Sequence, residues 1–333
     1  SFRNCILNVF KINCLSFRYI LPFYIFQNGL MTRSSSSTHQ AKTPSSKGHG
    51  LMRWIRRCNQ KNLDNFVPFF WENQALGWIP VQCLSWFREL PEVFETENMK
   101  VSLHSRLQTQ EARTDALAEV LEDWKDKGRV PGWRDELYRV SISFDAEPVF
   151  FLERAAASLF GICSYGVHLN GIAGDPERQR LWLAKRAKDR PQYPGHLDHL
   201  VAGGLTAGMQ THEVMARECF EEAGIPTELA AHAQLCGHVS LFMENQGRIK
   251  RDLLFCYDLI LPEDFVPCNQ DGEVESFLLK SFLEVERLIV ETEEIKLNCN
   301  LVMIDFLIRH GHLKAEMPFY TEIVAGLRSS DVR

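Results

Sequence analysis

The chain has 333 residues, 45% hydrophobic and 24% charged, with a net charge of −6, which is ordinary globular composition with room for about two domains. The acidic balance offers no broad surface for nucleic acid, and no apolar run reaches the roughly 18 residues of a membrane span. Its ten cysteines are scattered singly without a CxxC, which argues against a zinc site or disulfide framework and fits a reducing, intracellular compartment.

The first 63 residues hold ten Lys or Arg and no Asp or Glu. Residues 1–30 are apolar and aromatic but broken by Lys11, Arg18 and Pro22. Met31 opens the stretch SSSSTHQAKTPSSKGHG, whose composition predicts disorder. Residues 1–62 therefore read as a disordered basic segment. It is either a transit peptide to mitochondrion or plastid or the tail of a cytoplasmic enzyme, and a natural start at Met31 or Met52 would leave part of it outside the protein.

Residues 63–158 gather Trp71, Trp78, Trp86, Trp124 and Trp133 among amphipathic segments such as 112–125. They predict a small α+β accessory domain in which the tryptophans fill core or interface. Residues 159–328 then alternate strands with helices. LFGICSYGVHLNGIAG (159–174) is β-rich, with Gly166 and Gly171 expected as bends. Strands are predicted at 180–187, 197–202, 234–242, 251–260 and, briefly, 277–279, and helices at 281–291 and 300–310. The expected class is α/β, a mixed sheet with helices on both faces.

Residues 203–225, GGLTAGMQTHEVMARECFEEAGI, put Glu218, Glu221 and Glu222 in one helical turn. Carboxylates at i, i+3 and i+4 repel by roughly 0.2–0.5 kcal/mol per pair. They also lie at the carboxyl end, just before Gly224 and Pro226, where the helix dipole disfavours anions. Such a cluster calls for a hard divalent cation. Met215, Ala216, Cys219, Phe220 and Ala223 follow a buried-stripe pattern. Arg217 lies four residues after Glu213 and is expected to pair with it. Gly203, Gly204 and Gly208 allow a sharp loop that brings backbone groups to a ligand.

The spacing Gly203-x5-Met209-x7-Arg217-Glu218-Cys219-x-Glu221-Glu222-x-Gly224-Ile225 resembles the Nudix box, G-x5-E-x7-R-E-U-x-E-E-x-G-U, where U is aliphatic. It departs at Met209, which replaces the first glutamate, and at Cys219, a small hydrophobe in an aliphatic position. The wider pattern adds the Trp-rich N-terminal part, WLAKRAKDRPQYPGHLDHLVAGG, DGEVESF and NCNLVMIDFLIRHG. Over residues 63–327 it is similar to the fungal and plant Nudix subgroup related to thiamine pyrophosphokinase. The resemblance implies a Nudix α/β/α sandwich behind the accessory domain. It also implies a diphosphatase that converts thiamine diphosphate, and preferably its oxidised forms, to the monophosphate and phosphate.

Hydrolysing a diphosphate requires neutralising its charge and activating a water, and Mg²⁺ or Mn²⁺ does both. Glu218, Glu221 and Glu222, with the Gly203 carbonyl, are the expected metal ligands, and Arg217 orients the cluster. The general base is open among Glu218, Glu273 and Glu275. Lys185, Arg186 and Arg190, with the backbone at Gly204, are candidates for the phosphates; Tyr193 and Trp182 are candidates for an aromatic group. His168, His196, His199 and His238 lack metal-like spacing and read as core or surface residues. The expected partner is a small-molecule diphosphate, and the oligomeric state is not set. Other readings stay open on one scaffold: hydrolysis of a nucleotide such as ADP-ribose, an isopentenyl-diphosphate-type isomerase using Cys163 or Cys236, or diphosphate binding without turnover.

Overall fold

Helix α1 spans Pro44–Asn59, inside the segment whose composition predicts disorder. The computed structural model describes residues 44–175 and 178–329; the expectations for residues 1–43 lie outside them. Leu51, Trp54, Ile55 and Cys58 recur at helical spacing and are buried, and the Trp54 indole donates to the Ile289 carbonyl at 2.7 Å. The disorder expectation is thus corrected from residue 44 onward. Local composition is polar, but four apolar anchors docked on a larger core stabilise the helix.

The accessory part contains β1 (Phe66–Trp71), β2 (Gln74–Pro80), α2 (Leu84–Arg88), β3 (Phe94–Glu97), β4 (Lys100–Leu103) and α3 (Gln110–Asp126). A hairpin of β5 (Leu137–Val140) and β6 (Phe150–Glu153) and the turn α4 (Ala157–Phe160) complete it. The four-stranded sheet has the order β2-β1-β4-β3, with only β1 and β4 parallel. Thr109 caps α3 by accepting from the Ala112 amide at 3.1 Å. Trp124 is fully buried among Phe87, Phe94 and Phe160. Trp71, Trp86 and Trp133 lie at the margin of this core under Arg113, Arg129 and Lys125, so these indoles act as filler rather than as a substrate platform.

The second part follows as β7 (Cys163–Ala173), β8 (Arg180–Arg186), β9 (Leu197–His199), β10 (Val201–Gly204), α5 (Thr211–Ala223) and α6 (Thr227–Ala230). Then come β11 (Gln234–Asn245), β12 (Arg248–Ile260), β13 (Val274–Ser281), α7 (Phe282–Glu291), α8 (Cys299–Arg309) and α9 (Tyr320–Gly326). The sheet order is β11-β12-β7-β8-β13, with β10 paired to β7 and β9 to β8. β12 and β7 are parallel and the other pairs antiparallel, a mixed sheet.

Helix α5 covers one face, over Val167, Leu169, Val201 and Leu259. On the other face α1, α7, α8 and α9 close over Leu181, Leu183, Val239 and Leu241. The result is an α/β/α sandwich behind an α+β unit.

Gly166 and Gly171 are not bends. Both lie within the continuous strand β7, where Gly171 pairs with Trp182 and Leu259. A Cβ at 171 would meet Leu200 at 2.2 Å, and one at 166 the Gly203 carbonyl at 3.1 Å. Close approach, not a change of direction, requires glycine here.

Candidate active site

The site is built on the β10–α5 connection. At its start the Glu213 carboxylate reaches back to accept from the Gln210 amide at 2.7 Å, half of a capping box, and Gly224, at φ +63°, ends the helix. The expected Arg217–Glu213 pair therefore does not form, because Glu213 caps its own helix. Phe220 also departs from expectation: it is 56% exposed, while Glu222 is 8% exposed on the sheet side. Buried Val214, Met215, Cys219 and Ala223 set the axis of the stripe, and Phe220 lies too far around the helix from it.

Glu218 lies directly against Gly203: a Cβ at 203 would be 2.5 Å from its Cγ, Cδ and Oε1. Glu222 accepts from the Ala202 amide at 2.8 Å. Arg217 donates to Glu218 at 2.8 Å and lies 3.7 Å from Glu221. Its remaining Nη donates to the Met209 thioether at 3.2 Å, so the residue in the first glutamate's position still touches the arginine, without charge. Glu221 is the outermost of the three, its side chain 45% exposed.

Burial pushes the Glu218 carboxyl above its ordinary pKa, and Glu221 and Glu273 add to this against the opposing Arg217. Burial pushes Glu222 up further; Asp198, Glu218 and Glu273 reinforce it and the Ala202 amide opposes.

Glu273 joins this cluster through the 268–273 loop. The Cys268 and Gln270 amides donate to the Ala223 and Glu221 carbonyls at 3.0 and 2.9 Å, occupying acceptors that a helix end leaves free. Arg190 pairs with Glu273 at 2.6 Å. Glu275 points elsewhere, 3.7 Å from both Lys185 and Lys188.

Of the expected phosphate cations, Arg190 lies beside Glu273 of this cluster, while Lys185 and Arg186 are engaged elsewhere. Arg186 binds Asp198 at 3.1 Å and the Gln192 carbonyl at 3.2 Å, while Lys185 lines a cavity of ≈ 710 Å³ with Leu278, Lys280 and Leu288. Strand alternation sends these two neighbours to opposite faces of β8. Tyr193 packs edge-on against His196 at 5.4 Å.

Two features escape sequence reasoning. The first is a wall from the accessory part. The Tyr138 hydroxyl would be 2.6 Å from a Cβ at Gly204, and the Leu137 carbonyl accepts from the Ala207 amide at 2.8 Å.

The second is a buried group of His168, Asp198, His199 and Cys299, whose ligand-type atoms lie within 4.8 Å of one another. Asp198 already accepts from Lys296 at 2.9 Å, Arg186 at 3.1 Å and the Cys299 thiol at 2.8 Å. With two cations on one carboxylate, the group forms a charge network tying β9 to α8, in which the buried His199 Nε2 has no hydrogen-bond partner. No spacing signal exists for either feature, since the partners are distant in sequence.

Comparison with known proteins places the chain in a family. A NUDIX domain model matches residues 171–298, and a domain of unknown function (DUF4743) matches residues 50–164. The chain is 44% identical over 305 residues to Nudix hydrolase 20, chloroplastic, of Arabidopsis thaliana, covering 88% of this chain and 82% of that protein. The chain belongs to the Nudix hydrolase family. It is also 42% identical over 286 residues to Nudix hydrolase 24, chloroplastic, of the same plant, covering 85% and 78%. Among solved structures, a Caenorhabditis elegans Ap4A hydrolase complex matches with a TM-score of 0.34 at 16% identity, covering 45% of this chain and 99% of that one.

Nudix enzymes work with divalent metal ions, and the residues here suit one. Glu222 is a buried carboxylate, and Glu218 and Glu273 raise its pKa rather than neutralise it. Gly203 leaves open the space beside Glu218 that a side chain would fill. An all-oxygen donor set of this kind suits a hard divalent cation rather than a softer ion.

Proposed function

We propose that this Nudix hydrolase removes a phosphate from thiamine diphosphate and its oxidised derivatives with Mg²⁺ or Mn²⁺. The reading rests on Glu222 and Glu218, two half- to fully buried carboxylates that share one face of α5 with Glu221 beside a side-chain-free backbone at Gly203. Glu218, Glu221, Glu222 and the Gly203 carbonyl would hold the ion, which when bound supplies charge neutralisation and a more acidic water. Arg217 fixes the Glu218 and Glu221 carboxylates. Glu273, held by Arg190 at 2.6 Å, accepts the proton of the attacking water, and Glu218 is the alternative base. The thiamine moiety is supported by the sequence resemblance outside the box.

The isomerase reading is disfavoured by thiol chemistry. Burial pushes the Cys163 thiol up to about 12 and also raises that of Cys236, whereas a working cysteine needs a lowered pKa. Phosphate release from thiamine diphosphate, its oxidised forms, ADP-ribose and isopentenyl diphosphate tests the reading. Highest kcat/KM on the thiamine compounds supports it, and a preference for ADP-ribose replaces it with the nucleotide reading. The Arabidopsis relatives are named chloroplastic. With the acid-free residues 1–63, those names favour plastid placement over the cytoplasm.

A further inference from the structure

We infer that the accessory domain supplies a phosphate-binding arm to the Nudix site, with Arg154 as the group that contacts the diphosphate; this rests on the diphosphatase reading. A chain of contacts leads from the box to that arginine. Glu218 lies on Gly203; the next residue, Gly204, faces the Tyr138 hydroxyl; and the Arg154 guanidinium sits 5.7 Å from the centre of the Tyr138 ring. The Leu137–Ala207 hydrogen bond of 2.8 Å locks the strand carrying Tyr138 to the box loop.

Arg154 stands on a fixed platform. It follows β6 directly, its amide donates to the Glu136 carbonyl at 2.8 Å, and Glu153 caps the turn that it begins. One Nη donates to Glu136 at 2.7 Å, yet the side chain stays 42% exposed. The planar fork therefore keeps N–H groups available for bidentate recognition of a phosphate. Burial works against its charge, but Tyr138, Glu136 and Glu218 outweigh this and hold the guanidinium firmly protonated.

The other cations near the site pair with acids of the catalytic half, Arg217 with Glu218 and Glu221, Arg190 with Glu273, and Arg186 with Asp198. Among the described residues Arg154, by contrast, pairs only with Glu136, just before β5 in the accessory part. A diphosphate seated on the carboxylates meets the accessory domain on the Gly204 side. There Arg154 balances charge that the metal ion alone leaves over.

The test measures Mn²⁺ binding and, with Mn²⁺ present, methylenediphosphonate binding to the full chain, its Arg154→Ala and its Arg154→Lys variants. Arg154→Ala is expected to weaken methylenediphosphonate binding roughly 10- to 100-fold, with Mn²⁺ affinity within about twofold and an unchanged melting temperature. Arg154→Lys should recover part of the loss, since lysine keeps the charge but not the fork. Unchanged methylenediphosphonate affinity in Arg154→Ala overturns the inference. A loss matched by lower Mn²⁺ affinity and melting temperature also overturns it, by showing a structural role. If the wild-type chain binds neither probe, the diphosphatase reading itself fails and this assignment falls with it.

Discussion

Glu218 and Gly203 are in contact, side chain on backbone, with no room for a Cβ: one placed at 203 would lie 2.5 Å from the carboxylate. Gly203 is paired in β10 to Val167 of β7, so the strand cannot retreat. The Gly203→Ala variant is therefore expected to swing Glu218 aside. An overpacking cost of about 1–3 kcal/mol is the upper range, and a flexible carboxylate should keep it near the lower end. Metal-dependent turnover should fall at least tenfold while the fold persists, measured as kcat beside the thermal melt.

As a ligand of the proposed metal site, Glu222 would link metal binding to stability. Its carboxyl pKa is raised on folding from 4.5, so the unfolded chain loses this proton first as pH rises. Without metal, stability should fall as pH climbs from about 4.5 through the folded value, and Glu222→Gln should remove that loss while keeping the acceptor for the Ala202 amide. Mn²⁺ at 100 times its Kd should add about 2.7 kcal/mol to the wild type and much less to the variant. Urea unfolding with Mn²⁺ or with EDTA measures both.

His168 and His199 face each other through their Nδ1 atoms at 3.0 Å. Burial lowers both imidazoles, His199 to about 4. As pH falls the unfolded chain takes up these protons first. Stability is thus full above the ordinary pKa of 6.5 and is lost between there and about 4, with a limiting slope of about 1.4 kcal/mol per pH unit per proton. His199→Gln should flatten the slope in urea titrations run between pH 7 and pH 5.

Trp54 ties α1 to the catalytic half, buried to 1% exposure and bonded to the Ile289 carbonyl. Trp54→Ala should cost about 3–5 kcal/mol. A chain begun at Met52 lacks the first half of α1, including Leu51, and should melt lower than one begun at Met31. Differential scanning calorimetry checks both.

The glycine loop and glutamate helix are legible in the sequence because they are local. Residues 203–225 carry their spacing in one stretch, and hydrophobic periodicity marks most strands around them. What is hidden depends on tertiary partners. Glu213 was free to pair with Arg217 until the capping geometry at Gln210 claimed it. Lys185 and Arg186 look like one basic patch until the strand parts them. Arg154 and Tyr138 have no motif, and only the docking of the accessory hairpin brings them to Gly204. Helix α1 is hidden for a similar reason, since a polar composition masks four anchors that need a distant core.

The central claim is that the Glu218–Glu221–Glu222 face works through a divalent ion. Phosphate release from thiamine diphosphate by the full chain, with Mg²⁺ or Mn²⁺ and with EDTA, tests it most directly beside Glu221→Gln. The account predicts release that EDTA abolishes and that Glu221→Gln lowers by orders of magnitude without changing the melting temperature of the metal-free protein. Release that survives EDTA, or a Glu221→Gln variant as active as the wild type, would contradict it.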